Sequence, residues 1–188
     1  MLTIVIPTYT VTDTLADMAI RCVSSYRAYC DRIIVCEDGG TFNSKLMALS
    51  DTYIYNWRNV GFTANVNRGW RQVDDDFTAI VSSDTYLVSG NLSDLCIDGK
   101  VTSPMIENQK IDGLAGSFFV AHKSCPKYLV ETMKTYYSDE EYKERTKDLF
   151  VKVPSVVIHH HQAQSVKAAG LEGNVTADKE AYDSLLKR

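Results

Sequence analysis

Long hydrophobic runs are missing from this sequence. Its longest apolar stretches are Leu2–Pro7, Arg32–Cys36 and Gly116–Ala121, each far short of the ~20 residues that a membrane span needs. No membrane span is expected. The N terminus enters an apolar run at once, without a positively charged leader, so no signal peptide is expected either. Cysteine is sparse and poorly spaced for structural work: Cys22, Cys30, Cys36, Cys96 and Cys125 are odd in number and include no C-x-x-C pair. That argues against a disulfide framework or zinc ribbon and for free thiols in a reducing cytoplasm. Basic excess is lacking too. Twenty Lys and Arg face 24 Asp and Glu, for a net charge of −4 with no basic stripe. Phosphate neutralisation supplies the affinity of a nucleic-acid surface, so no nucleic-acid partner is expected. A polyanionic partner has to be small and bridged by metal. Four common enzyme signatures, G-x-S-x-G, G-x-x-x-x-G-K-[ST], G-x-G-x-x-G and H-E-x-x-H, are also absent.

What is present is globular: 188 residues, 45% apolar and 23% charged, a length that predicts one domain with at most a small appendage. No repeat and no Pro-, Gly- or Ser-rich linker divides it. Leu2–Pro7 reads as a fully buried strand, because a β-branched run without polar alternation suits a parallel sheet covered on both faces. Thr12 or Asp13 can cap a helix whose apolar positions Leu15, Met18, Ala19, Cys22 and Val23 recur every three or four residues. Further strands are expected at Arg32–Cys36, broken by Glu37-Asp38-Gly39-Gly40, at Thr52–Tyr55 and at Phe77–Val81, with a helix over about Thr63–Gln72. Strands alternating with helices predict a doubly wound α/β sheet. Beyond residue 88 the order loosens. Gly116–Ala121, Phe150–Val153 and Val156–His160 read as strands, and Ser124–Tyr137, Asp139–Leu149 and Asp178–Lys187 as helices.

Ligands of open α/β sheets bind beyond the carboxyl ends of the strands. Three polar clusters fall at such ends: Pro7-Thr8-Tyr9, Glu37-Asp38-Gly39-Gly40 and Ser83-Asp84-Thr85. Asp38 can accept hydrogen bonds from a base or ribose while the glycines admit a close backbone approach; an Asp-Gly-Gly turn explains the same residues. Asp84 leaves a buried strand with no basic neighbour in sequence. Such a carboxylate needs solvent or a hard cation, Mg²⁺ or Mn²⁺; a turn or helix cap is the plainer alternative. In His159-His160-His161, strand alternation turns His160 away from the other two, so the triplet cannot meet one ion together. Asp139-Glu140-Glu141 suits the first turn of a helix electrostatically and also offers a general base for a hydroxyl.

In order along the chain stand Leu2-Thr-Ile-Val-Ile-Pro-Thr-Tyr9, Ile33-Ile-Val-Cys-Glu-Asp-Gly-Gly40, Asn59-Val-Gly-Phe-Thr-Ala-Asn-Val-Asn-Arg-Gly69, Val81-Ser-Ser-Asp-Thr85, Gly113-Leu-Ala-Gly-Ser-Phe-Phe119 and Val153-Pro-Ser-Val-Val-Ile-His-His-His161. Together they resemble the family 2 glycosyltransferases, in particular the rhamnosyltransferase-like members, over about residues 2–165. The resemblance implies a GT-A, Rossmann-like α/β fold with a mostly parallel central sheet and a mixed second half. It implies one domain over 1–188: a nucleotide-binding half (1–87), an acceptor- and metal-closing half (88–165) and a C-terminal tail and helix (166–188). The implied activity is a metal-dependent, inverting transfer of a sugar from a nucleoside-diphosphate sugar to a hydroxyl of a glycan, lipid-linked glycan or protein. It is placed in the cytoplasm, that of the host for a viral chain.

Carried over by position, Pro7, Thr8, Tyr9, Asp38, Asn67, Arg68 and Ser83 would bind the nucleotide sugar. Asp84 with His160 or His161 would hold Mn²⁺ or Mg²⁺, and one of Asp139, Glu140 and Glu141 would be the base. The sequence departs from the family pattern where Ser82 and Ser83 replace a further acid and where the stretch between Tyr137 and Phe150 is short. Those departures leave open a nucleotide-sugar-binding protein that has lost catalysis. A nucleotidyltransferase fits less well, because it wants a basic residue after the first strand and Thr8–Asp17 has none.

Overall fold

The computed structural model describes residues 1–107, 109, 113–161 and 174–187. β1 (Leu2–Thr8) is buried along its whole length. It lies between β2 (Arg32–Asp38) and β4 (Phe77–Val81), both parallel to it, and β2 pairs in parallel with β3 (Thr52–Asn56). The connections are α1 (Asp13–Tyr26), α2 (Ser44–Leu49) and α3 (Phe62–Trp70). The Thr12 hydroxyl caps α1 by accepting the Leu15 N–H, and the helix buries Leu15, Ala19, Cys22, Val23 and Tyr26.

The second half extends the same sheet. β5 (Thr85–Ser89), β6 (Val101–Ile106), β7 (Phe118–His122) and β8 (Phe150–His160) complete eight strands in the order β3-β2-β1-β4-β7-β6-β8-β5. β7 is antiparallel to β4 and β6, while β8 is antiparallel to β5 and parallel to β6. The sheet is therefore parallel in its first half and mixed in its second. Helices α4 (Ser138–Thr146) and α5 (Asn174–Leu185) lie late in the chain.

Alternate residues of β1 and β2 feed two cores. Ile4, Ile6 and Val35 meet Cys22, Val23 and Tyr26 of α1 on one face. Val5, Ile34 and Cys36 meet Val66 and Trp70 of α3 on the other, joined by Phe119 and Tyr142. Each such side chain contributes ~1.5–3 kcal/mol through burial. α3 lies so close that a Cβ on Gly69 would come within 2.5 Å of Val5 Cγ1 and 2.6 Å of Cys36 Sγ. Only glycine permits that approach.

Several expectations change. β2 does not stop at Cys36 but runs on through Glu37 and Asp38. β5 and β6 are short strands that the sequence pattern did not reveal. The two strands expected at 150–160 are one, because β6 and β8 absorb Pro154 in a register shift opposite Pro104 and Met105. The helix expected over Ser124–Tyr137 is absent, and the segment consists of turns, bends and irregular chain. Pro126 removes a donor there, Tyr128 and Tyr137 have φ of 71° and 61°, and the Asn67 side chain claims both the N–H and C=O of Leu129. α5 begins at Asn174 rather than near Asp178, and the expected tail over 166–173 lies outside the described residues. Among the described residues, no helix is long and apolar enough to cross a membrane.

Candidate active site

A cleft of about 270 Å³ opens beyond the carboxyl ends of β1, β2 and β4. Pro7, Thr8 and Tyr9 line it from the end of β1, Asp38 from β2, and Ser83 and Asp84 from the turn after β4. The later chain closes it with Gly116, Ser117, the 135–139 segment and His160.

At the β2 end, Glu37 is fully buried and ties two loops together. Its Oε1 accepts the Thr10 N–H at 2.9 Å and the Gly40 N–H at 3.0 Å. Its Oε2 accepts the hydroxyls of Thr8 at 2.7 Å and Thr10 at 2.9 Å. The loops after β1 and β2 are thereby locked to each other, and Asp38 is presented beside them. Asp38 accepts from Val60 N at 2.8 Å, Gly61 N at 3.0 Å and Asn56 Nδ2 at 3.3 Å. Burial raises its pKa, and those hydrogen bonds pull the other way. A carboxylate has about four acceptor positions, so one remains for a donor on a ligand.

At the β4 end, Oδ1 of Asp84 is 3.3 Å from Nε2 of His160, and both side chains are largely buried. β8 delivers the histidine by pairing His160 with Thr85, and the His161 N–H bonds the Asp84 carbonyl. On the other His160 nitrogen, Nδ1, sits Gln109 Nε2 at 2.9 Å. With that amide donating, Nδ1 accepts and Nε2–H points at Asp84. With the amide turned over, Nδ1 carries the proton and the Nε2 lone pair faces the cleft. His161 lies with the other histidine on the opposite face of β8: its ring is 4.8 Å from His159 and 5.7 Å from Tyr86. Burial lowers the His161 pKa, and the residue borders a second, minor hollow with Asp84 rather than the main cleft.

Of the three acids at 139–141, the structure brings one to the cleft. Asp139 lines it, and its carboxylate lies against Gly116. Burial, then the nearby Glu140 charge, raises its pKa. Glu140 pairs with Lys143 at 3.5 Å and Glu141 with Arg145 at 2.9 Å, both through helical spacing along α4.

Two sequence candidates stand back from the cleft. Asn67 is buried under the 129–131 segment, donating to Leu129 O and Glu131 Oε1. Arg68 is exposed and donates to Asn56 Oδ1, beside Asp38. Their motif still faces the cleft, but through Asn59, Phe62 and Asn65, because the start of α3, not its last turn, points there. Asn65 donates to Cys36 O at 2.7 Å and accepts from Asn56 at 3.0 Å, extending the Asp38 network. Ser117 was also missed: its buried hydroxyl lines the cleft without a hydrogen-bond partner among the described residues. Its place in Gly113–Phe119 was the available signal. Thr135, Tyr136 and Tyr137 carried none, since their segment has no periodicity.

The donor set of Asp84 and His160 fits a divalent cation. No group of three or more metal-ligating side chains occurs among the described residues. Mg²⁺ and Mn²⁺ commonly bind through one or two protein ligands plus substrate phosphates.

No curated protein matches the sequence. The fold resembles Staphylococcus aureus TarS 1-349 in complex with UDP, with a TM-score of 0.66 and 12% identity over 84% of this chain and 60% of that one. The UDP-GlcNAc complex of TarS 1-349 gives 0.66 and 11%, over 87% and 59%. Glucosyl-3-phosphoglycerate synthase from Mycobacterium tuberculosis, in complex with Mn²⁺, UDP and glucosyl-3-phosphoglycerate, gives 0.61 and 12%, over 89% and 74%. The chain thus spans about 60% of the length of the TarS 1-349 structures. The model of glycosyl transferase family 2 matches residues 3–96, from β1 through the Asp38 and Asp84 turns. With half of its length matched and both turns on one cleft, the chain belongs to glycosyl transferase family 2.

Proposed function

We propose that this chain, as one domain over 1–188, transfers a sugar from a nucleoside-diphosphate sugar to an acceptor hydroxyl, with inversion and with a divalent cation, in the cytoplasm. The observation that carries the reading is the meeting of three carboxylates from distant parts of the chain, Asp38, Asp84 and Asp139, on one cleft. Their surroundings suit three different tasks. Asp38, held by the 60–61 backbone, receives the base or ribose. Asp84 and His160 would hold Mn²⁺ or Mg²⁺ at the diphosphate. Asp139 stands at the foot of α4, beside Gly116 and Ser117, as the base.

In the reaction, the acceptor oxygen forms its bond to the anomeric carbon as the bond from that carbon to the diphosphate oxygen breaks. The proton of the acceptor hydroxyl passes to the Asp139 carboxylate, and the nucleoside diphosphate leaves with the electron pair. A single displacement of this kind inverts the anomeric centre. The bound cation supplies Lewis-acid stabilisation of the charge that develops on the departing diphosphate. Burial raises the Asp139 pKa and so strengthens the carboxylate as a base. UDP in both structural relatives and Mn²⁺ in one of them make these the first donor nucleotide and cation to try.

The test is a panel of UDP-, GDP- and dTDP-sugars with Mn²⁺, read by thermal shift and by mass detection of released nucleotide. One donor should raise Tm and release its nucleotide slowly in the absence of acceptor. No shift with any donor overturns the proposal.

A further inference from the structure

The C-terminal helix reaches back to the cleft wall. Asp178 of α5 is 3% exposed. It accepts three successive backbone N–H groups, from Lys134 at 2.9 Å, Thr135 at 2.8 Å and Tyr136 at 2.8 Å. Four residues on, the Tyr182 ring stacks on Tyr137 at 5.7 Å and 22°. These contacts hold a segment with no helix or strand ladder of its own. Tyr137 sits in the left-handed region at φ 61°, a conformation strained for a residue with a Cβ. The next two residues are Ser138 and Asp139. On its far side the segment is tied to the donor half: the Lys134 carbonyl accepts the Thr63 N–H at the start of α3.

We infer that Asp178 and Tyr182 are positioning residues for Asp139: the helix clamps the 134–137 wall and so fixes where the first turn of α4 puts its carboxylate. The inference rests on the reading of Asp139 as the base. Three charge-assisted bonds from one carboxylate fix three consecutive peptide planes, and the stacked ring holds the strained residue that turns the chain into α4. Misplacing a general base by about 1 Å can cost about 100-fold in rate, so the clamp is expected to act on turnover rather than on donor binding.

The experiment uses the full chain and the variants Asp178→Ala, Asp178→Asn, Tyr182→Ala and Tyr182→Phe. Hydrogen exchange comes first, because it needs no substrate: Asp178→Ala should deprotect the 130–142 region while β1, β2 and β4 keep wild-type protection. Unchanged exchange at 130–142 overturns the clamp. With a donor that turns over, Asp178→Ala and Tyr182→Ala should lower kcat about tenfold or more and leave donor Kd within about threefold. Tyr182→Phe, which keeps the stacked ring, should restore the rate. The acidic limb of the kcat profile should move to lower pH in Asp178→Ala as Asp139 becomes better solvated. A variant that loosens 130–142 yet keeps wild-type kcat and pH profile shows a structural role only and overturns the positioning role. If Asp139→Asn itself retains full turnover, the base reading has failed, and the exchange result still decides whether the clamp exists.

Discussion

Nε2 of His160 lies 3.3 Å from Oδ1 of Asp84, at the point where β8 ends beside the start of β5. The two residues are 76 positions apart in sequence (160 minus 84), and only the antiparallel pairing of β5 with β8 brings them together. Asp84→Ala should abolish Mn²⁺-dependent donor turnover, with a loss of about 100-fold or more, because charge on the departing diphosphate loses its counter-charge. His160→Ala should be milder and should raise the Mn²⁺ concentration for half activity by about 10–100-fold. Titrating Mn²⁺ against donor hydrolysis checks both. His161→Ala, on the opposite face of the strand, should leave that titration unchanged.

Asp139→Asn should lose transfer by about 100- to 10,000-fold, the usual contribution of a positioned base, while donor affinity measured by calorimetry stays at the wild-type level. The pH dependence follows in sign. Burial raises the Asp139 pKa, and the carboxylate form is the active one. The rate should therefore fall with falling pH at a midpoint above the usual carboxylate range. Stability runs the other way. A folded-state pKa above the unfolded value means that the folded chain binds the extra proton, so stability is greatest below the unfolded pKa and is lost as pH rises through the folded one. Asp139→Asn should thus melt higher than wild type at neutral pH, and the advantage should disappear below the ordinary carboxylate range.

The first half of the fold was legible because its signals are local. A β-branched run marks β1, a three-four periodicity with a threonine cap marks α1, and acids at the ends of buried strands mark Asp38 and Asp84. The second half depends on pairings between distant residues. β5 and β6 are too short to show a pattern, and the 124–137 segment reads as a helix until Asn67, some 60 residues earlier, takes the backbone of Leu129. Residue type alone could not choose among Asp139, Glu140 and Glu141. Their order around α4 does, since successive residues of a helix point about 100° apart, and only Asp139 meets Gly116 and the cleft.

Glu37 anchors the loops after β1 and β2 without needing to touch a ligand. Removing its carboxylate strands two N–H groups at once and leaves the Thr8 and Thr10 hydroxyls only the carbonyls of Cys36 and Thr41. Glu37→Ala should destabilise the protein by about 3 kcal/mol or more and weaken UDP binding. Glu37→Gln should be tolerated far better. The amide oxygen can keep the two N–H bonds at the Oε1 position while its NH₂ faces Thr8 and Thr10, whose hydroxyls can turn to accept. Denaturant unfolding of the two variants side by side tests this: equal losses would show that the charge, rather than the pattern of acceptors, holds the loops.

Gly116→Ala probes the base from the opposite wall. A Cβ at this position would sit 2.8 Å from both Cβ and Cγ of Asp139 and closer still to one carboxylate oxygen. Those atoms cannot yield as the far end of a long side chain would. Asp139 is one χ1 rotation from its backbone, and its backbone is fixed in the first turn of α4. Relief therefore requires the carboxylate to rotate away or α4 to back off from β7. Either response moves the Asp139 carboxylate from its place against Gly116. Asp38 and Asp84, on the other walls, keep their partners. Gly116→Ala should consequently reduce kcat by about tenfold or more with little change in donor Kd. Steady-state kinetics beside a donor titration check the split: a parallel loss of donor affinity would place the donor sugar, not the base, against residue 116.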